Sequence, residues 1–106
     1  MQPPPSLTAD QRHAALEKAA VARRVRAEVK EKLKVGALSL EELFALGDSD
    51  EMIAKLKVVA ALESLPGLGK VRARRVMEDL DISESRRLRG VGTKQRRALL
   101  ERFDGA

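Results

Sequence analysis

The chain has 106 residues, enough for one domain with a modest core and too few for two, and 43% of them are hydrophobic. Phe44 and Phe103 are the only aromatics, which argues against a stacking platform for single-stranded bases, and the lack of cysteine excludes disulfides and thiolate metal sites. The net charge is +5, and its distribution is uneven: residues 1–64 hold ten basic and ten acidic side chains, residues 65–106 eleven and six.

Within the first part, residues 8–35 carry eight basic and four acidic residues, and 36–64 carry two and six. A basic–acidic–basic layout points to a charged face and not to a uniformly sticky surface. No apolar run reaches the length of a membrane span, and Met1-Gln2-Pro3-Pro4-Pro5 lacks the pattern of a signal peptide. The expectation is a cytoplasmic protein with no membrane partner.

Residues 1–7 are proline-rich and expected to form a disordered arm, with 8–106 a single all-α domain. Thr8 and Gln11 have capping-box spacing, and the residues that follow are strong helix formers up to Val35. This predicts a long first helix over 8–35, ended by Gly36. Ala14, Val21, Val25, Val29 and Leu33 form its apolar stripe, with Ala15 and Ala22 beside it. Such small side chains bury little per turn, so loose docking is expected. Next to the stripe run Arg12, Arg23, Arg26, Lys30 and Lys34, with Glu17, Glu28 and Glu31 on the far side. Of these, Arg23, Arg26, Lys30 and Lys34 are a candidate anion-binding ridge, against the plainer reading of a solvated helix face. His13 reads as an exposed helix residue.

Ser39 and Glu42 repeat the capping-box pattern and start a short helix that turns Leu40, Leu43, Phe44 and Leu46 inward. The run Gly47-Asp48-Ser49-Asp50 reads as a turn and cap for a third helix reaching Ser64. Met52, Ile53, Leu56, Val59 and Ala60 give that helix a continuous stripe, widened by Val58 and Leu62, as befits a central core helix. Asp48, Asp50 and Glu51 are read as helix-start charges and not as a metal site. No metal or cofactor is expected.

The most informative stretch is Leu65-Pro66-Gly67-Leu68-Gly69-Lys70-Val71-Arg72-Ala73. Gly-x-Gly after a proline predicts a tight turn between helices, where φ > 0 or a close partner tolerates no Cβ. The helix that opens at Lys70 presents unpaired N–H groups as an anion site, and Lys70 and Arg72 set cations beside them. Ala73 lets the two helices pack closely. The helix, over 70–80, is expected to bury Val71, Ala73, Val76, Met77 and Leu80. A weaker copy lies 23 positions later: Gly67 aligns with Gly90, Gly69 with Gly92, Arg74 with Arg97 and Met77 with Leu100. Arg96 stands where the first copy has Ala73, so the second helix pair cannot pack in the same way. Between the copies, Ser83 is expected to cap a short helix ending near Leu88. There Arg86, Arg87 and Arg89 form the densest cationic cluster of the chain, chemistry suited to phosphate oxygens. Thr93 is a cap for the last helix, which packs Leu99, Leu100 and Phe103, and its hydroxyl is also offered to a phosphate.

The first copy resembles a helix-hairpin-helix, and the two turns together resemble the helix-two-turns-helix module of formamidopyrimidine-DNA glycosylases and a small-subunit ribosomal protein. With the long first helix and the run from Ser83 to Gly90, almost the whole chain is similar to the actinobacterial integration host factor family. That resemblance implies an all-α fold, a long N-terminal helix packed on a compact ribosomal-protein-like bundle. It also implies a monomeric nucleoid-associated protein that grips duplex DNA by its backbone, bends or compacts it, and assists a site-specific recombinase or a topoisomerase. The expected DNA-contacting residues are Gly67, Leu68, Gly69, Lys70, Arg72, Arg86, Arg87, Arg89, Gly90, Gly92, Thr93 and Lys94, with the first-helix ridge as a possible second surface. Two other readings stay open: an RNA-binding, ribosome-associated protein, and a non-catalytic relative of the glycosylases. Catalysis itself is not expected. Asp79 or Asp81 stands roughly where the glycosylase version has its aspartate, but the chain lacks an aromatic pocket and a second domain to enclose a flipped base, and Met1 and Gln2 precede Pro3.

Overall fold

In the computed structural model, which describes residues 8–103, helix α1 (Ala9–Lys34) begins at the expected capping box. Thr8 Oγ1 accepts from the Gln11 amide at 3.1 Å, and Gln11 Oε1 accepts from the Thr8 amide at 2.9 Å. It ends in a Schellman turn: Gly36, at φ +75°, donates to the Leu33 carbonyl, and Ala37 donates to that of Lys32. The proline-rich arm expected at 1–7 lies outside the described residues. Only the last third of α1 joins the core. Val29 and Leu33 are buried and Val25 is half-buried, whereas Val21 is exposed and Leu16 is 62% exposed. The apolar stripe therefore runs off the body of the molecule at its N-terminal end.

Helix α2 (Leu40–Ser49) has its own capping box, Ser39 with Glu42, and buries Leu40, Leu43 and Phe44; Leu46, expected inward, is exposed. The helix continues through Gly47 and Asp48, which the sequence reading assigned to a turn. Asp50 alone is the cap of the next helix, its Oδ1 accepting from Met52 and Ile53. Asp48 instead pairs across the bundle with Arg96.

The expected third helix is two helices, α3 (Glu51–Ala54) and α4 (Val58–Ser64). At the break, Lys57 pairs antiparallel with Arg87: the Val58 amide donates to the Arg86 carbonyl, and the Leu88 amide to that of Leu56. Leu56 and Val58, two residues apart, are both buried, which an extended residue between them allows and a continuous helix does not. The break also resets the helical phase. Val58, Ala61 and Leu62 face the core in α4, while Val59 and Ala60 are only half-buried.

Helix α5 (Gly69–Asp79) buries Ala73, Val76 and Met77 against α4. Val71 was expected inside and is 74% exposed. Two residues before fully buried Ala73, it sits about 200° around the helix from the core. The short helix expected to start at Ser83 is a single turn, with Arg86 donating to the Ser83 carbonyl, followed by the bridge at Arg87 and a 3-10 turn, Leu88–Gly90. Helix α6 (Thr93–Phe103) closes the bundle with Leu99 buried and Leu100 and Phe103 packed against the core. All the helices share one apolar cluster, and among the described residues no polar or charged residue is buried. The fold is all-α, and any chemistry it performs is on its surface.

Candidate nucleic-acid interface

The chain leaves α4 through Leu65 in extended geometry and turns at Gly67, φ +74°. Leu68 is right-handed and Gly69 left-handed, at φ +76°. A right-handed residue followed by a left-handed one points successive amides into a common concavity, a geometry that receives anions. No side chain caps α5, and the amides of Gly69, Lys70 and Val71 meet no acceptor among the described residues. Beyond the adjoining residues no atom lies within 4 Å of where a Cβ would stand on Gly67 or Gly69, and both glycines are exposed, so the turn is open to solvent. Lys70 and Arg72 are exposed and make no ion pair there. Leu68 plays a different part: its side chain is buried and anchors the turn to the core.

The second turn is spelled like the first but is not built like it. Neither Gly90 nor Gly92 has a positive φ. Gly90 closes the 3-10 turn by donating to the Arg87 carbonyl. The Gly92 amide is occupied by Gln95 Oε1 at 3.1 Å, while Gln95 Nε2 donates to the Asp81 carbonyl at 2.9 Å. The sequence predicts a weaker copy of the first turn here, and the structure differs further: both of its glycine amides are already bonded. The open donors here are the amides of Thr93 and Lys94 in the first turn of α6. Arg96, in the position of buried Ala73, lies over the Phe44 ring at 4.9 Å and forks to Asp48 with two bonds of 3.1 Å.

Arg86, Arg87 and Arg89 diverge. Arg86 folds back to the Gly90 carbonyl at 2.8 Å, Arg87 reaches the Lys55 carbonyl at 2.5 Å, and Arg89 borders a shallow recess beside Phe44 and Asp48. Carbonyl acceptors are neutral, and neither Arg86 nor Arg87 makes an ion pair among the described residues, although Glu78, Asp81 and Glu84 line a groove together with Arg86. Arg87 also lines a groove against α1 with Arg26, Lys30, Lys55 and Lys57, and no carboxylate lines it. A neighbouring groove joins Lys30 and Lys34 to Gly67 and Gly69, with Glu31 and Glu63 on its walls. Three residues of the first-helix ridge thus border the glycine turn or the arginine segment; Arg23 borders neither groove. The sequence reading missed Lys55 and Lys57, which lie in the break between α3 and α4 and line this groove with Arg26 and Lys30 of α1.

It also missed Arg74. This side chain bonds Glu63 at 2.6 Å and the Lys70 carbonyl at 3.1 Å through Nη1, and Glu84 at 2.9 Å through Nε.

Residues 33–103 match the family model of the S13-like H2TH domain. The chain is 54% identical over 100 residues to the integration host factor of Mycolicibacterium smegmatis, covering 94% of this chain and 95% of that one. The chain belongs to the actinobacterial integration host factor family. The Mycobacterium tuberculosis integration host factor is 54% identical over 102 residues, with 96% and 97% covered, and that of Streptomyces coelicolor 58% over 99 residues, with 93% and 92% covered. A solved structure of sIHF bound to an 8bp palindromic DNA superposes with a TM-score of 0.80 at 56% identity, covering 82% of this chain and 98% of that one. The H2TH match takes in α2 to α6 and the last residues of α1, so the integration host factor likeness is what extends over the rest of the long first helix.

Proposed function

We propose that this integration host factor relative is a nucleoid-associated protein that grips the phosphate backbone of duplex DNA with little sequence preference. By doing so it bends or compacts DNA and supports site-specific recombination and control of DNA topology. The observation that carries the reading is the 56% identity to sIHF, whose structure is a complex with DNA. The local chemistry supports it: the amides of Gly69, Lys70, Thr93 and Lys94 offer donors to phosphate oxygens. Lys70, Arg72, Arg86, Arg87, Arg89 and Lys94 supply neutralising charge, and the turns at Gly67 and around Gly90 and Gly92 bring the backbone close. Arg26, Lys30 and Lys34, joined by Lys55 and Lys57, continue the basic surface towards α1.

The role is architectural and not catalytic. Each ionisable side chain of this surface is at least partly solvated, which suits charge neutralisation and gives no carboxylate a dry pocket for acid–base work. Among the described residues no helix is long and apolar enough to cross a membrane. The reading implies a monomer on the nucleoid, in the cytoplasm, assisting a recombinase or a topoisomerase.

The test is a titration of duplex DNA, duplex RNA and single strands at one salt concentration, followed by a salt series on the duplex. Engagement of about six phosphates gives a slope of log K against log salt near −5 for B-DNA. No binding to duplex DNA at low ionic strength refutes the reading. Preference for duplex RNA favours the second reading, a ribosome-associated protein, for which the S13-like family description is the supporting observation.

A further inference from the structure

Arg74 sits one helical turn into the basic helix that follows the open glycine turn, and it aligns with Arg97 across the sequence repeat. By position alone it counts as one more phosphate-binding cation. Its surroundings say otherwise. Nη1 is shared between Glu63, near the end of α4, and the Lys70 carbonyl at the start of α5, while Nε holds Glu84 in the turn just before Arg86. One guanidinium therefore ties together both sides of the first glycine turn and the segment that carries the arginines. Its charge is more than balanced, since two carboxylates face one cation, and the trio has no net attraction for phosphate. Glu63 is the more enclosed partner, its side chain 24% exposed, and it lines the groove shared by Lys30, Lys34, Gly67 and Gly69. Arg97, by contrast, is exposed and has no ion pair.

We infer that Arg74 is a positioning residue for the DNA-gripping surface: it holds the first glycine turn against the arginine segment and screens Glu63 and Glu84 from the DNA, without touching phosphate itself. This rests on the duplex-DNA reading above. Arginine is needed because its planar fork serves several acceptors at fixed angles, which a lysine ammonium does not.

The inference is tested on the full-length protein with a DNA duplex. Arg74→Gln is expected to lower affinity by roughly 5- to 10-fold for every sequence, as an unscreened carboxylate beside phosphate does. Part of that loss should fade as salt rises, since repulsion by a carboxylate is itself screened by salt. The triple variant Arg74→Gln/Glu63→Gln/Glu84→Gln is expected to bind within about 2-fold of the double variant Glu63→Gln/Glu84→Gln, because a residue that acts only through those carboxylates has nothing to act on once they are gone. Arg72→Gln is the contrasting variant: it loses a phosphate contact in either background, so it costs as much affinity with the two carboxylates replaced as with them present. No loss of affinity in Arg74→Gln, or a triple variant weaker than the double variant by the same roughly 5- to 10-fold, overturns the inference. Should Arg74→Gln fail to fold by circular dichroism, the triple and double variants decide alone: equal affinities support the positioning role, and a weaker triple variant refutes it. Wild-type protein that ignores duplex DNA refutes the DNA reading, and this inference with it, before any variant is made.

Discussion

At Gly69 the backbone stands at φ +76°, where an L-residue costs about 1–2 kcal/mol, and the space a Cβ would fill is empty. The penalty for a side chain there is conformational and not steric. Gly92 reverses the case: its φ is not positive, and a Cβ would meet only Gln95 Oε1 at an ordinary 3.5 Å. Gly69→Ala is therefore expected to cost about 1 kcal/mol of stability and to weaken DNA binding by re-aiming the Gly69 and Lys70 amides. Gly92→Ala should stay within about 0.5 kcal/mol of wild type. Urea unfolding followed by circular dichroism, alongside a DNA titration, measures both, and equal losses for the two variants would sink the distinction. The contrast was not legible in the residues, because Gly-x-Gly is written identically in both turns. What separates them is their neighbours: Gln95 reaches back to cap Gly92, and Leu88 is tied to Leu56 before the second turn begins.

Among the helices, the starts of α1 and α2 and the end of α1 followed from local chemistry and were readable. The capping boxes at Thr8 and Ser39 and the left-handed Gly36 form through contacts within a few residues of each other. Docking was less readable. The stripe on α1 predicts a buried face, but a helix of 26 residues rises about 39 Å and outruns the body it packs on. Its first four turns hold no buried residue, so their stability comes from helix propensity, one capping box and exposed local pairs such as His13 with Glu17. Native-state hydrogen exchange of the free protein is expected to find amides 13–22 of α1 exchanging much faster than amides 29–34, which are anchored by Val29 and Leu33. Uniform protection along α1 would contradict this. The break between α3 and α4 escaped the sequence reading altogether. It contains neither glycine nor proline, and it exists because residues 56–58 pair with a segment 30 residues further on.

At the scale of the whole molecule, the cations fall into a connected basic surface that no single stretch of sequence contains. Lys30 borders both grooves, linking the glycine turn on one side to Lys55, Lys57 and Arg87 on the other. If DNA follows that surface, Lys30→Gln with Lys34→Gln should make the salt slope shallower by about 1.8, two phosphate contacts at 0.9 each, while leaving the thermal midpoint unchanged because both lysines are exposed. An unchanged slope would confine the interface to the turns and the arginine segment. The same geometry bears on bending: a duplex held at the turns and along α1 is gripped at separated points by one molecule, with no need for a dimer.

By itself the sequence determined the helical class, the capping boxes of α1 and α2, the open turn at 66–69 and the family, because each depends on residue types at short spacing or on likeness along the chain. The tertiary structure alone decided which cations are available to a partner. Arg74 and Arg96 are committed to carboxylates, Arg87 is swung towards α1, and Lys55 and Lys57 are brought to the surface it shares with Arg26 and Lys30. A charged side chain's role depends on what stands within a few ångströms of it, and here those neighbours are mostly contributed by residues far away along the chain.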